Sequence, residues 1–495
     1  MLSLQKKMLS NICQGFQAPI IKRLSARSYC KARKCPTSQS TGSKMPKFTI
    51  SALSWLQTIL RERFGHAFAL QSHTDGHHID LRLPGDVRCI TLVSDGATFT
   101  RTDSDLPCAH WNARAEGYVT PIDAMLPAPG AAQLATPLIS AGENGWQIGY
   151  DILGLTYWML NRIEEIGRTD LDNHGRFPAT ASHAYKHDYL ERPVVDEWLH
   201  VLGQVISKTW PGIELKQHTF SMKVSHDVDA PSRYGFASAK GLLRAMAGDV
   251  LKRGDFKNSI RAPWIKLNSQ KKIHPSDPYN TFEWIMDLSD QHGLTSAFYF
   301  ICGGEHPNDT DYQPEDSRIR ELMLQIHKQG HEIGLHPSYA TYQNPAAIQQ
   351  QANRLGNILK EEGIEQEGIG GRMHYLRWEH PTTLQAWEDA GMAYDSTLSY
   401  ADRPGFRCGT CHEYPAFNPV TQQPLKIRIR PLIAMECTVI AERYMDLGYT
   451  QEAIDKFMEL KEKCRKAEGC FTLLWHNSHF VTQGDFEIYQ KVIKN

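Results

Sequence analysis

Along the stretch TFSMKVSHDVDAP, apolar Phe220, Met222 and Val224 alternate in a run that ends in two carboxylates, Asp227 and Asp229. Alternate side chains of an extended chain share a face, so the two acids converge while His226 and Val228 turn away. Carboxylates held that close repel, and both stay ionised only with a cation or a strong donor between them. One can then hold a metal while the other takes a proton from water; the bland alternative is a pair of acids capping the turn into Ala-Pro. In GHEIGLHPSYATY, His336 falls just past another apolar run, five residues after His331. A neutral imidazole there suits Zn²⁺ or a similar divalent ion. GGRMHYLRW offers Arg372, His374 and Arg377, and LLWHNS ends its run on His476. Four run-ends bearing His, Asp or Arg point to one metal or catalytic site more than to four unrelated structural residues.

For these residues to meet, the elements carrying them must end at one rim. From Thr219 onward, short apolar runs alternate with helical segments. FSMKVSHD, SAFYFICGG, HEIGLHPS, IGGRMHYLRW, MAYDSTLSY, PLKIRIRP and CFTLLWHNS read as strands. Helical spacing recurs between them, as in YNTFEWIMDLSDQHG and AAIQQQANRLGNILKEEG. Such alternation predicts a parallel sheet, open or closed into a barrel, with its chemistry at the C-terminal strand ends. Residues 46–215 read as a separate mixed α/β region. SALSWLQTILRERFG and DILGLTYWMLNRIEEIGRTD carry helical spacing, and HIDLRL and CITLVS are strand-like. Tyr157 and Trp158 read as core, and Arg176, His183 and Arg192 as ties for a long loop.

Composition bounds the rest. The chain has 495 residues, a net charge of -1 and a pI of about 7.1, which argues against a nucleic-acid footprint over the whole protein. No apolar run approaches the roughly 18 residues of a membrane span. Eleven scattered cysteines suit a reduced, cytoplasmic chain. Residues 1–50 hold ten Lys/Arg and no acid, so 1–44 read either as an organelle transit segment or as sequence ahead of a start at Met45. The first option makes the destination organellar. Cys408-Gly-Thr-Cys411 has redox or zinc spacing but lacks a second pair.

Taken together, the motifs resemble the polysaccharide deacetylase family (NodB-homology, carbohydrate esterase family four). More narrowly, the chain is similar to two-domain bacterial deacetylase-like proteins with a GRFP…RPVVDE-like segment ahead of the barrel. The resemblance implies an α/β fold: a distorted, TIM-like (β/α) barrel over 217–495, preceded by a smaller mixed α/β domain over 45–215. It implies a divalent metal, zinc foremost, and removal of acetyl groups from an N- or O-acetylated sugar. SHDVDA then carries over Asp227 as general base and Asp229 as metal ligand, GHEIGLHPS carries over His336 as metal ligand, and LLWH carries over His476 as general acid. GGRMHYLR makes Arg372 the residue that orients the base. YDSTLSYADRPGFRCGT supplies Asp395 and Arg403.

The family's second motif has two histidines four apart, whereas here the partner position of His336 is Ala340. His374 or His331 could supply the missing nitrogen, and His374 is preferred because it follows the motif arginine at a strand end. Tyr339, Tyr375 and Trp378 are candidates to stack on a sugar ring. The partner expected is a carbohydrate or an acetylated small molecule. Two other readings stay open: a degenerate barrel that binds carbohydrate or an assembly partner without turnover, and a hydrolase of non-sugar C–N amides.

Overall fold

The computed structural model describes residues 48–494, and the segment 1–44 singled out above lies outside them. Residues 46–495 form one compact unit. Its amino-terminal part opens with the helix Ile50–Phe64, capped at one end by Thr49 and closed by Gly65, whose φ of 79° a side chain would resist. A five-stranded sheet follows, built from β1 (Ala69–Ser72), β2 (His78–Arg82) and β3 (Cys89–Val93). A separate hairpin of β4 (Cys108–Asn112) and β5 (Met125–Pro129) comes next, and β6 (Ile139–Gly142) and β7 (Gly145–Ile148) then complete the first sheet. The helices Ile152–Leu160 and Val194–Thr209 carry the aromatic core of this part; Tyr157 and Trp158 are buried.

Carboxy-terminal to it, β8 (Ser221–Val228), β9 (Ser296–Ile301) and β10 (Glu332–His336) run parallel, with β15 (Cys470–Leu474) on the other side of β8 and β14 (Ala434–Met435) beyond it. All six residues of β9 are buried, as suits a strand covered on both faces. The chain is thus a mixed α/β protein with a parallel sheet. Beyond β10 the predicted strand IGGRMHYLRW shrinks to a single residue. Gly371 bridges Leu335 and Asp395, and then the chain turns through His374–Leu376. A Cβ at Gly371 would stand 1.9 Å from Leu335 O, so only glycine lets the backbones approach there. MAYDSTLSY likewise contributes only the two-residue β11 (Tyr394–Asp395), which pairs with β13 (Gln423–Ile429); β13 pairs antiparallel with β12 (Tyr414–Asn418).

One hydrophobic core runs from Phe48 to Ile493 through both parts. Charges are sewn through it as well. Buried Glu165 accepts from Arg162 Nε at 2.8 Å and from Arg407 Nε at 2.9 Å, joining residues far apart in sequence. An insertion between β8 and β9, built of the helices Ala239–Gly248 and Phe256–Asn268, was not evident from strand and helix spacing. Among the described residues the cysteines are free thiols, Cys408 and Cys411 included.

Candidate active site

Asp227 sits near the end of β8 and Asp229 just beyond it, both reaching a cavity of about 250 Å³. Arg372 Nη1 donates to Asp227 Oδ1 at 2.7 Å, with both side chains almost fully buried. The guanidinium is fixed in turn by Ser396 O at 3.0 Å and Ser225 Oγ at 2.8 Å. Asp227 Oδ2 remains on the cavity side, 3.6 Å from His336 Nε2.

Asp229 is the hub. Its Oδ1 lies 3.2 Å from His336 Nε2 and 3.5 Å from His374 Nε2, and its Oδ2 lies 3.6 Å from His476 Nε2. Each imidazole has its far nitrogen occupied. His336 Nδ1 is 2.6 Å from Arg372 O, His374 Nδ1 is 3.2 Å from Asp309 Oδ1, and His476 Nδ1 is 2.5 Å from Glu436 Oε1. A carbonyl only accepts, so His336 Nδ1 carries a proton, and Nε2 is the ring nitrogen that faces Asp229.

That arrangement tests whether a cation suits the site. Asp229 Oδ1 and His336 Nε2 are both buried and neither has a hydrogen-bond partner. Buried polar atoms left without a partner are costly, and a metal ion between them removes the cost. Asp229, His336 and His374 present three donor atoms within 4.8 Å of one another, a count and chemistry that fit a catalytic divalent ion with an open position. The second contacts at His336 and His374 are those that orient metal-binding imidazoles.

Acid and imidazole shift one another strongly here. Burial works against the charge on Asp229, but His374 and its other histidine neighbours hold the carboxyl well below its ordinary range. Burial also opposes protonation of His374, yet Asp229 and Asp309 push it up to about 9. His476 is likewise raised to about 9 against burial, here chiefly by Glu436. Glu436, which His479 Nδ1 also approaches at 2.7 Å, is driven well below the usual carboxylate range by those two rings in spite of its burial.

The predicted residues divide as follows. Asp227, Asp229, His336, His374, Arg372 and His476 come together, and Tyr375 lines the cavity. Exposed Ala340 contributes no ligand, and the nitrogen nearest Asp229 after that of His336 belongs to His374. His331 stands at the opposite end of β10, with Nδ1 3.2 Å from Ser296 N. Tyr339 lies outside the cavity lining, stacked on His306 at 4.2 Å with Arg377 over its ring. Trp378 must be corrected: at 5% exposure it is a core residue, and a buried indole has no face to offer a sugar.

Asp309, Glu436, His479 and Arg443 were missed. Asp309 lies in the loop after β9 and Glu436 directly follows β14, so their partners come from elsewhere in the chain; a lone glutamate inside the apolar AMECTVI was the only hint. Arg176, read as a loop tie, is one: it donates to Tyr375 O at 3.0 Å and pairs with Asp172 at 2.7 Å, while also lining the cavity.

Comparison with known proteins adds a framework. Residues 46–211 match a family of unknown function, DUF7033. Over 160 residues the chain is 26% identical to aromatic-amino-acid aminotransferase 1 of Thermococcus litoralis, a match covering 30% of this chain and 37% of that protein. The chain therefore spans well under half the length of that curated relative. Three of the solved structures it resembles are as follows. A protein assigned as a polysaccharide deacetylase from Mycobacterium smegmatis matches with a TM-score of 0.35 and 16% identity, over 57% of this chain and 84% of that one. Puue allantoinase matches with a TM-score of 0.33 and 14% identity over 57% and 85% of the two chains. A protein assigned as a polysaccharide deacetylase from Pseudomonas aeruginosa PAO1 gives 0.33 and 12% over 56% and 84%. Likeness this distant says nothing of activity. Among the described residues no helix is long and apolar enough to cross a membrane.

Proposed function

We propose that the chain is a metal-dependent hydrolase of the polysaccharide deacetylase type, with its parallel sheet forming a distorted barrel over 217–495 and residues 45–215 as a domain that shapes the mouth. Its substrate in this reading is an N- or O-acetylated sugar. The observation that carries the proposal is the meeting of Asp229, His336 and His374, two of whose donor atoms are buried without partners. Those three side chains would hold the ion, zinc in this reading. The chemistry supplied by such an ion is Lewis acidity toward an acyl oxygen and toward water.

The remaining steps belong to the protein. Asp227, with Oδ1 fixed by Arg372, accepts a proton at Oδ2 from the attacking water. His476, held at Nδ1 by Glu436, presents Nε2 to the cavity and donates its proton to the departing amine or hydroxyl. Tyr375 offers a ring face beside this group, and Met435, Leu376 and Leu474 form an apolar wall that limits water. Elemental analysis of purified protein, paired with acetate release from a panel of acetylated sugars and simple amides, tests the reading. One divalent ion per chain and acetate from sugars, both lost in Asp229→Ala and His336→Ala, are expected. A chain free of metal and without turnover would favour a carbohydrate binder, and release from amides alone would reassign the substrate.

A further inference from the structure

The insertion after β8 has no part in the chemistry above. Helix Ala239–Gly248 has no buried residue, and helix Phe256–Asn268 buries only Ser259, Ala262 and Ile265. That seam packs on Tyr234 and the partly buried Leu242, Ala245 and Met246. The outer surface is apolar: Leu243, Leu251, Phe256, Ile260, Trp264 and Leu267 are 53–83% exposed. No other stretch of that length among the described residues exposes more than two large apolar side chains. Phe256, Ile260, Trp264 and Leu267 recur at helical spacing and so share one stripe, turned away from Ser259, Ala262 and Ile265.

Charge reinforces the pattern. Residues 239–272 hold nine Lys/Arg and two Asp. Both acids are committed inward: Asp249 accepts from Arg233 Nε at 2.8 Å and Tyr234 Oη at 2.7 Å, and Asp255 caps the second helix through Asn258 N at 3.0 Å. Exposed Lys257 and Arg261 flank the apolar stripe.

We infer that this helical pair docks the protein on an anionic phospholipid surface, with Phe256, Ile260, Trp264 and Leu267 entering the acyl boundary and the cations meeting headgroup phosphates. A basic amphipathic helix with aromatic and aliphatic residues on one face has the composition of an interfacial anchor. Nucleic acid would use the cations but leave the stripe in water. The insertion is rooted at the cavity rim. It leaves β8 just past Asp229, and its far end is tied to the neighbour of His476, Asn477 Nδ2 donating to Tyr279 O at 2.9 Å and Thr281 Oγ1 to Asn477 O at 2.9 Å. The inference stands whether or not the hydrolase reading does.

Sedimentation of the full chain with vesicles tests it, comparing equal parts phosphatidylglycerol and phosphatidylcholine with phosphatidylcholine alone. The protein is expected to pellet with the anionic vesicles only, and less as salt rises. Lys257→Gln with Arg261→Gln should weaken partitioning roughly 30-fold, from the loss of two cations near the surface. Ile260→Asp with Trp264→Asp should abolish it, while circular dichroism and melting stay unchanged because both side chains are exposed. Failure to pellet overturns the inference. So does undiminished binding of the Ile260→Asp/Trp264→Asp chain, which would place adsorption elsewhere, for instance on the basic residues 1–50. Self-association lost in that variant, without vesicle binding, would make a second copy the occupant and overturn it too.

Discussion

Asp395, at the end of β11, gives the sharpest quantitative prediction. Its Oδ1 accepts from Thr397 N at 2.8 Å and from Thr397 Oγ1, yet burial still pushes its pKa from 3.8 up to about 6. A folded-state pKa above the unfolded value means that the native chain binds more protons across that interval, so stability falls as pH rises through it. At 1.36 kcal/mol per pH unit the full cost is ~3 kcal/mol, reached near neutrality and already about 1 kcal/mol near pH 4.5. Asp395→Asn keeps an oxygen for Thr397 and removes the charge. Urea unfolding of both chains at about pH 4.5 and about pH 7.5 should show the variant's relative stability improving by ~2 kcal/mol between the two conditions. A difference independent of pH, or one that moves against the variant on going alkaline, would refute the reasoning.

If the proposed centre holds a divalent ion, Asp309→Ala should weaken its affinity about 10–100-fold by freeing His374 Nδ1, a loss measurable with a competing chelator; unchanged affinity would detach Asp309 from the site. Under the proposed hydrolase reading, His476→Ala should lower kcat by roughly 10²–10⁴ while any bound metal persists in elemental analysis, separating proton donation from ligation. Arg372→Met should destabilise the fold by about 3–5 kcal/mol, because it strands the buried Asp227 charge. Adding Asp227→Asn should recover much of that stability in a thermal melt, and no recovery would show that the arginine acts otherwise.

How far the sequence speaks differs by residue. Asp227 and Asp229 were legible because a two-residue period fixes their shared face once the strand is recognised. His336 and His476 were legible because each closes an apolar run. His374 could be placed on the chain but not in space: two bridges at Gly371 and a short turn, rather than a full strand, aim its ring at Asp229. Asp309 and Glu436 could not be found at all, since their partners lie 65 and 40 residues away and local pattern carries no such information. Trp378 shows the converse error: an aromatic near a motif lies in the core when its flanks fold inward. The helical pair after β8 escaped notice because its apolar stripe faces outward, against the rule that apolar spacing marks buried faces.

The buried linkage of Arg407 to Glu165 bears on how this polypeptide can be taken apart. A fragment starting near residue 217 would keep the guanidinium, lose its carboxylate and expose the core face that the amino-terminal part covers. Expression of the carboxy-terminal segment by itself should give aggregate, whereas co-expression of the two halves as separate chains has a route to reassembly. Recombination between relatives would face the same constraint: a crossover near that point survives only when both parents carry the matching charge pair.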